Sequence, residues 1–443
     1  MELHHSPIPK KRMVCPTLRK VLYTHLMQNE NRTYFAFIWH AVFLSITVTF
    51  TEINTIIPAM ILEIGGREIH VGIVTAIMIG IPLVTQLLFA GLLQGQPRKK
   101  PFLIAGISLR VTALAAIAFT LRFIQSFSVT TGLLTIYAEL MLFTVGGSFA
   151  TISYVDLLGK GISQERLQKF FPQKQIISGI GVLVSALIAR VILGNLSYPA
   201  SYVVLFGAAA VMLLVASIGF WMIHEPTNPI EKPAGAFSIL ASVPALLRHD
   251  INLRRYILFN NFMGFSVALM PFYMALAKHA YFLDPSLAGT ILFIQILGNI
   301  IASLVWPLIV LRWGYKPILR IWAVGAVFLP IAALVISSFA PLPVYVALFA
   351  FSGILISART VTHDAMIVNL STKENRVLYT GAIGTLNLSV ALFPLVLGGL
   401  LRHVGYVVVF LGVAAMALVA NHFLSRLKCP LNKRSKVLEK RIA

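Results

Sequence analysis

The residues able to do chemistry in this chain are few, and they sit among apolar neighbours. Arg359, His363 and Asp364 interrupt a hydrophobic run over Pro343–Leu370. Arg359 and His363 are spaced i,i+4, so on a helix they share one face. A fixed cation there suits an anionic group. A histidine changes charge near neutral pH, which suits a proton relay. The plainer role for Arg359 is an internal salt bridge that only orders packing. Glu52 and Asn54 interrupt an earlier apolar run. A carboxylate whose proton affinity is raised by burial is a natural proton carrier; partnering a nearby cation is the alternative. Among neutral polar residues in apolar runs, Asn260 and Gln295 are the best candidates to line a cavity, although such groups also bond helices together. Glu52, Asn54, Asn260, Gln295, Arg359 and His363 are therefore the expected substrate- or proton-handling set. Arg110 and Glu139 are expected to neutralise each other, and Arg190 to snorkel from a span to its edge.

The elements that must hold these residues follow from composition. The chain has 443 residues, 58% of them hydrophobic and 12% charged, with a mean hydropathy of +0.85. A soluble domain carries about 25% charged residues, so one water-soluble core is excluded. Repeated apolar runs of about 20 residues read as membrane spans. Lipid offers no partner for a peptide group, so runs this long and continuous should be helices and not barrel strands. Spans are expected near residues 34–61, 71–93, 102–124, 131–157, 175–193, 202–223, 255–277, 288–311, 317–339, 343–370, 378–401 and 406–427. Residues 160–174 read as a charged loop, and a surface amphipathic helix is expected over Ala236–Leu247.

The net charge of +21 is unevenly placed. Lysines and arginines crowd the tails and alternate loops. Only Arg67, Arg122, Lys278 and Arg402 fall in the opposite set, and Arg110, Arg190 and Arg359 lie inside spans. That asymmetry is the positive-inside signature, which places both termini in the cytoplasm; the cytoplasmic (inner) membrane is the expected location. It makes the bilayer the partner of the basic surface, and nucleic acid is not expected. Cys15 and Cys429 lie in the tails and give no disulfide framework. No P-loop, HExxH or Cys/His cluster is present in the sequence. No cofactor, metal or enzymatic activity is therefore expected, and energy must come from a gradient. Residues 1–33 show no apolar signal-peptide core and are read as a retained cytoplasmic tail. A monomer is expected.

The chain also repeats itself. Asp156 is followed by Ser163, Glu165 and Arg166; Asp364 is followed by Ser371, Glu374 and Arg376. Lys100-Pro101 matches Lys316-Pro317, Gly72 matches Gly289, and Pro58 matches Pro271, all in the same order and at nearly one spacing. The pattern divides the chain into a half over 34–223 and a half over 255–427, joined by a cytoplasmic linker over 224–254 and followed by a basic cytoplasmic tail over 428–443. Parallel halves of this kind are a known transporter plan.

Three stretches carry a resemblance: G-L-L-Q-G-Q-P-R-K-K over Gly91–Lys100, R-W-G-Y-K-P over Arg312–Pro317, and N-L-S-T-K-E-N-R-V-L-Y-T-G over Asn369–Gly381. With these the chain resembles the major facilitator superfamily over nearly its whole length. The resemblance implies an all-α membrane protein with twelve transmembrane helices in two pseudo-symmetric six-helix halves. It implies a secondary active transporter that moves a small solute by alternating access, with a proton as the expected coupling ion, in symport or in antiport and efflux. The other reading is a transport-fold receptor or assembly factor without solute flux. One departure stands out. The family's loop usually has an aspartate at the position of Gly95 and a glycine near Arg98, where that acid joins a charge network closing the cytoplasmic side. Here the expected substitute is Asp156, through Lys99, Lys100 or Arg166, with Asp364 and Arg376 as the counterpart gate in the second half.

Overall fold

The structure is a computed structural model that describes residues 16–94, 96–223, 225, 244, 246–281, 287–370, 379, 382–383, 386 and 387–427. Apart from one 3₁₀ turn, Ile124–Ser126, its regular structure is α-helical. In the first half α1 spans Pro16–Phe50, α2 Ile56–Glu63, α3 Glu68–Gln94, α4 Lys100–Arg122, α5 Val129–Gly161, α6 Gln164–Asn195 and α7 Ala200–Trp221. In the second, α8 spans Ile251–Leu269, α9 Phe272–Tyr281, α10 Leu287–Trp313, α11 Lys316–Phe339 and α12 Leu342–Leu370. A last helical run, Leu388–Ser425, is interrupted at Gly405, giving α13 over 388–404 and α14 over 406–425.

Eleven stretches among the described residues are long and apolar enough to cross a membrane. The last of them doubles back. Gly405 has φ 76° and ψ 171°, a backbone state that side chains other than glycine's resist. Phe393 of α13 packs against Phe265, Phe410 of α14 meets Tyr273, and Phe423 returns to Phe262. The chain therefore climbs α8 and α9 and descends them again. The protein is an all-α, multi-pass membrane protein.

The structure differs from the sequence expectations at four places. The expected first span, 34–61, breaks at residues 51–55 between α1 and α2, and the expected seventh, 255–277, breaks at Met270-Pro271 between α8 and α9. Pro271 supplies no N–H and its ring crowds the preceding turn, which ends α8. The expected charged loop over 160–174 is almost wholly helix, because α5 runs to Gly161 and α6 begins at Gln164. Charged residues there extend helices beyond the apolar zone without ending them. Helix α1 likewise begins at Pro16, inside the expected tail. Ala236–Leu247 lies largely outside the described residues.

Local chemistry sets the helix ends. Ser128 caps α5 by accepting from the Thr131 N–H at 3.1 Å. Asp250 caps α8 by accepting from the N–H groups of Asn252 and Leu253 at 2.8 and 3.0 Å. The Lys-Pro pairs place proline in the first turns of α4 and α11, where a missing N–H leaves no bond unmade. The duplicated lysines also do the same work. Lys100 Nζ donates to the carbonyls of Trp221 and Ile223 at 2.9 and 2.7 Å. Lys316 Nζ donates to the carbonyl of Leu427 at 3.0 Å. Each lysine thus closes the carbonyl end of its half's last helix.

The two halves meet at the end away from these basic loops. There α3 packs on α13 and α6 packs on α10. The duplicated glycines Gly72 and Gly289 sit in those two contacts. A Cβ on Gly72 would strike the Pro394 carbonyl, and one on Gly289 would lie 2.6 Å from the Cα of Arg190. Glycine is required at both for backbones to approach this closely. Gly289→Val should therefore lower the melting temperature of the purified protein, by the equivalent of about 1–3 kcal/mol expected of overpacking. Gly179→Val, with open space around its Cβ position, should leave it unchanged.

Candidate functional site

The break between α1 and α2 is built around Glu52. Its carboxylate accepts from the backbone N–H groups of Asn54 and Thr55, both at 2.7 Å, from the Asn54 side-chain amide at 2.7 Å, and from the Thr55 hydroxyl at 2.8 Å. Four donors converge on one carboxylate. Opening a helix inside hydrocarbon strands N–H groups that water cannot reach, and Glu52 satisfies two of them at the start of α2. Asn54, expected at the cavity, instead braces this turn. Both residues are explained first by backbone chemistry.

Arg359 and His363 lie on α12, half-buried, and Tyr256 of α8 lies near Arg359. None of the salt bridges among the described residues involves Arg359. Asn260 and Gln295 are both buried, at 5% exposure. The Asn260 side-chain nitrogen and the Gln295 side-chain oxygen are enclosed without a hydrogen-bond partner among the described residues. The side chain of Asp364, and the whole of Arg376, fall outside what the structure describes.

The first half holds a second cationic group that sequence reading dispersed. Arg110 and Glu139 do not pair. The Thr120 hydroxyl donates to Glu139 at 2.7 Å, while the Arg110 guanidinium lies 4.4 Å from the centre of the Phe143 ring with its Nε buried and unpartnered. Antiparallel packing of α4 on α5 puts Arg110 beside Gly146, a register that counting depth along a hairpin does not reveal. Arg110 and Lys174 both lie near enough to His40 for their charges to act on its ring. Lys174 Nζ sits 5.1 Å from the Tyr154 ring centre, and His40 packs 5.7 Å from the same ring. Lys174 falls in the stretch expected as a loop but lies on α6, and a lone His40 in an apolar run carries no signal of its own.

The expected gate resolves into separate contacts. Lys99 Nζ bonds Asp156 Oδ1 at 2.8 Å, and Lys160, one helical turn on, pairs with the other carboxylate oxygen. Lys100 bonds helix-end carbonyls instead, as described above. Arg166 donates to Asn31 at 2.6 Å and lies 3.6 Å from Glu30. Two acids not anticipated from the sequence complete this end. Glu225 accepts from the backbone N–H groups of Lys99 and Lys100 at 2.7 and 2.8 Å and lies 3.6 Å from Lys160. Glu30 binds the Ser163 backbone and hydroxyl. At the opposite end, Lys278 of α9 bonds Glu63 of α2 at 2.8 Å, and the Tyr406 hydroxyl donates to Glu68 at 2.9 Å. Both contacts join the two halves.

If Glu52 is structural, its replacement acts on folding. Glu52→Ala should lower stability by about 1–3 kcal/mol, the penalty for buried donors left unmatched. Glu52→Gln, which keeps one accepting oxygen, should recover part of that loss in the same thermal unfolding measurement. Equal stability of both variants and the natural protein would return Glu52 to the role of a free proton carrier.

Comparison with known proteins places this geometry. Residues 256–440 match the family model described as Major Facilitator Superfamily. No curated protein sequence matches the chain. Among solved structures, the nucleoside transporter NupG (D323A mutant) is 16% identical, with 91% of this chain and 100% of that one covered at a TM-score of 0.62. A bacterial homologue of the iron transporter ferroportin in an inward-facing state is 14% identical, with 90% and 98% covered at 0.68. A D-xylose-proton symporter is 11% identical, with 88% and 96% covered at 0.66. The resemblance read from the loop motifs is thereby borne out. The family match covers the second half, and the fold likeness covers nine-tenths of the chain.

Proposed function

We propose, from a second half matching the Major Facilitator Superfamily and a fold shared with solved transporters, that this protein is a secondary active transporter of a small anionic solute. It works by alternating access between two six-span halves, as a monomer in the cytoplasmic membrane, with the basic end and both termini in the cytoplasm. The observation carrying the anionic reading is the pair of intramembrane arginines, Arg110 in the first half and Arg359 in the second. Neither has a salt bridge among the described residues. A charge in the bilayer is expensive, from about 2.5 kcal/mol upward at its centre, and a bound anion offsets that expense. Lys174 adds to the same field in the first half.

Alternating access is supported by the two broken spans. They occupy equivalent places in the halves, α1/α2 and α8/α9, and interrupted helices at corresponding positions point to a binding site between repeats. The contacts Glu63–Lys278 and Glu68–Tyr406 fit a state closed on the non-cytoplasmic side. Asp156 with Lys99 and Lys160 is the proposed cytoplasmic latch of the first half, with Asp364 and Arg376 as its partners in the second. Proton coupling is supported by His363, one helical turn from Arg359, because its charge responds to pH near neutrality.

The test is flux into sealed proteoliposomes under an imposed pH gradient, over a panel of organic and inorganic anions, neutral metabolites and cations. At least one anion should be carried. Arg359→Gln and Arg110→Gln should each cut its flux about tenfold or more, equivalent to about 1.4 kcal/mol, and the lysine variants should restore part of it. Transport of only neutral or cationic solutes, unaffected by these variants, would overturn the anionic reading. Flux indifferent to the gradient would remove the proton.

A further inference from the structure

We infer that a groove on the lipid-facing side of the second half, at its basic end, is a binding site for one anionic phospholipid. The groove is a cavity of about 870 Å³ between the end of α10, α11, α12 and α14. Lys316 and Arg320, spaced i,i+4 on α11, stand at its mouth with Trp313. Its walls continue along α11 through Val324 to Phe328. Trp313 and Phe328 are exposed, at 59% and 61%, so this face looks outward into the bilayer and not into the bundle.

The arrangement follows the cross-section of one leaflet. From Lys316 to Phe328 a helix rises roughly 18 Å at about 1.5 Å per residue, close to half of the roughly 30 Å hydrocarbon thickness. Charge lies at the shallow end and apolar surface at the deep end, as in a phospholipid. No acidic side chain is among the described residues lining the groove, so the cations favour a negative headgroup. Lys316 uses one of its donors on the Leu427 carbonyl; an ammonium has three. The Arg320 guanidinium adds a planar fork suited to phosphate. A tryptophan at the mouth matches the preference of indole for the headgroup level. Two walls of the groove are fixed to each other, because Asn421 of α14 donates to the carbonyl of Ala323 on α11 at 3.1 Å. At the deep end Gly325 lets Leu355 and Phe351 of α12 pack directly on α11, since a Cβ there would strike Leu355.

Native mass spectrometry and thermal unfolding of the purified full chain in detergent decide the matter, with phosphatidylglycerol and phosphatidylcholine of equal chain length as probes. The natural protein should retain one phosphatidylglycerol at least fivefold more readily than phosphatidylcholine and melt at a higher temperature with it. Lys316→Gln with Arg320→Gln should abolish that preference, while Lys10→Gln with Lys11→Gln, an equal loss of charge in the basic N-terminal stretch, should keep it. Val324→Trp, which fills the groove and leaves both cations, should lose the retained lipid without lowering the lipid-free melting temperature; it also serves if the charge variants misfold. Equal retention of both lipids by the natural protein would overturn the headgroup assignment. Undiminished phosphatidylglycerol retention in Val324→Trp or in the folded Lys316/Arg320 variant would overturn the site.

Discussion

Every feature of this molecule answers to the demand that no peptide group be left unbonded in hydrocarbon. That demand makes the chain helical, and it makes any interruption of a helix an event needing an explicit chemical answer. At residues 51–55 the answer is a carboxylate: Glu52 gathers two backbone N–H groups and two side-chain donors in one turn. At Met270-Pro271 it is a residue with no N–H to satisfy. At the basic end it is Glu225, which takes the first N–H groups of α4, and Lys100, which takes the last carbonyls of α7. Charged residues in this protein serve the backbone at least as often as they serve one another.

The same accounting explains the duplication. Lys100-Pro101 and Lys316-Pro317 begin the equivalent helices of the two halves and cap the equivalent partners. Gly72 and Gly289 admit the equivalent crossings, α3 on α13 and α10 on α6. A repeat visible as scattered single residues is a repeat of mechanical parts: a staple at one end and a close crossing at the other. What the halves do not share is their buried charge. Arg359 and His363 lie on α12, and the corresponding positions on α5 carry Thr151 and Val155. The first half draws its cations from α4 and α6 instead.

Spans were legible because hydropathy integrates over about 20 residues and tolerates single errors. Their breaks were not, since residues 51–55 and 270–271 are embedded in runs whose average stays apolar. Pro271 was visible as a repeat with Pro58, but the repeat alone does not say which of two prolines ends a helix; Pro58 sits inside the first turn of α2, and Pro271 separates α8 from α9. The contact of Asp156 with Lys99 was legible from the loop resemblance, whereas Lys160, one turn beyond Asp156, was hidden by reading its segment as a loop. Arg110 and Glu139 failed as a pair because packing register, and not depth, decides who meets whom. Glu30 and Glu225 could not be placed at all, as each acts on a helix distant in the chain.

Gly405 joins α13 to α14 with a single residue. Such a joint leaves no slack. The first arm presses against α3 of the opposite half, and the second lies along α8 and α11 of its own. Its far end is anchored as well, since Arg255 and Lys316 hold the carbonyls of Arg426 and Leu427. The hairpin therefore ties two distant surfaces to one turn of backbone: its first arm forms the crossing between the halves, and its second arm forms part of the wall of the groove.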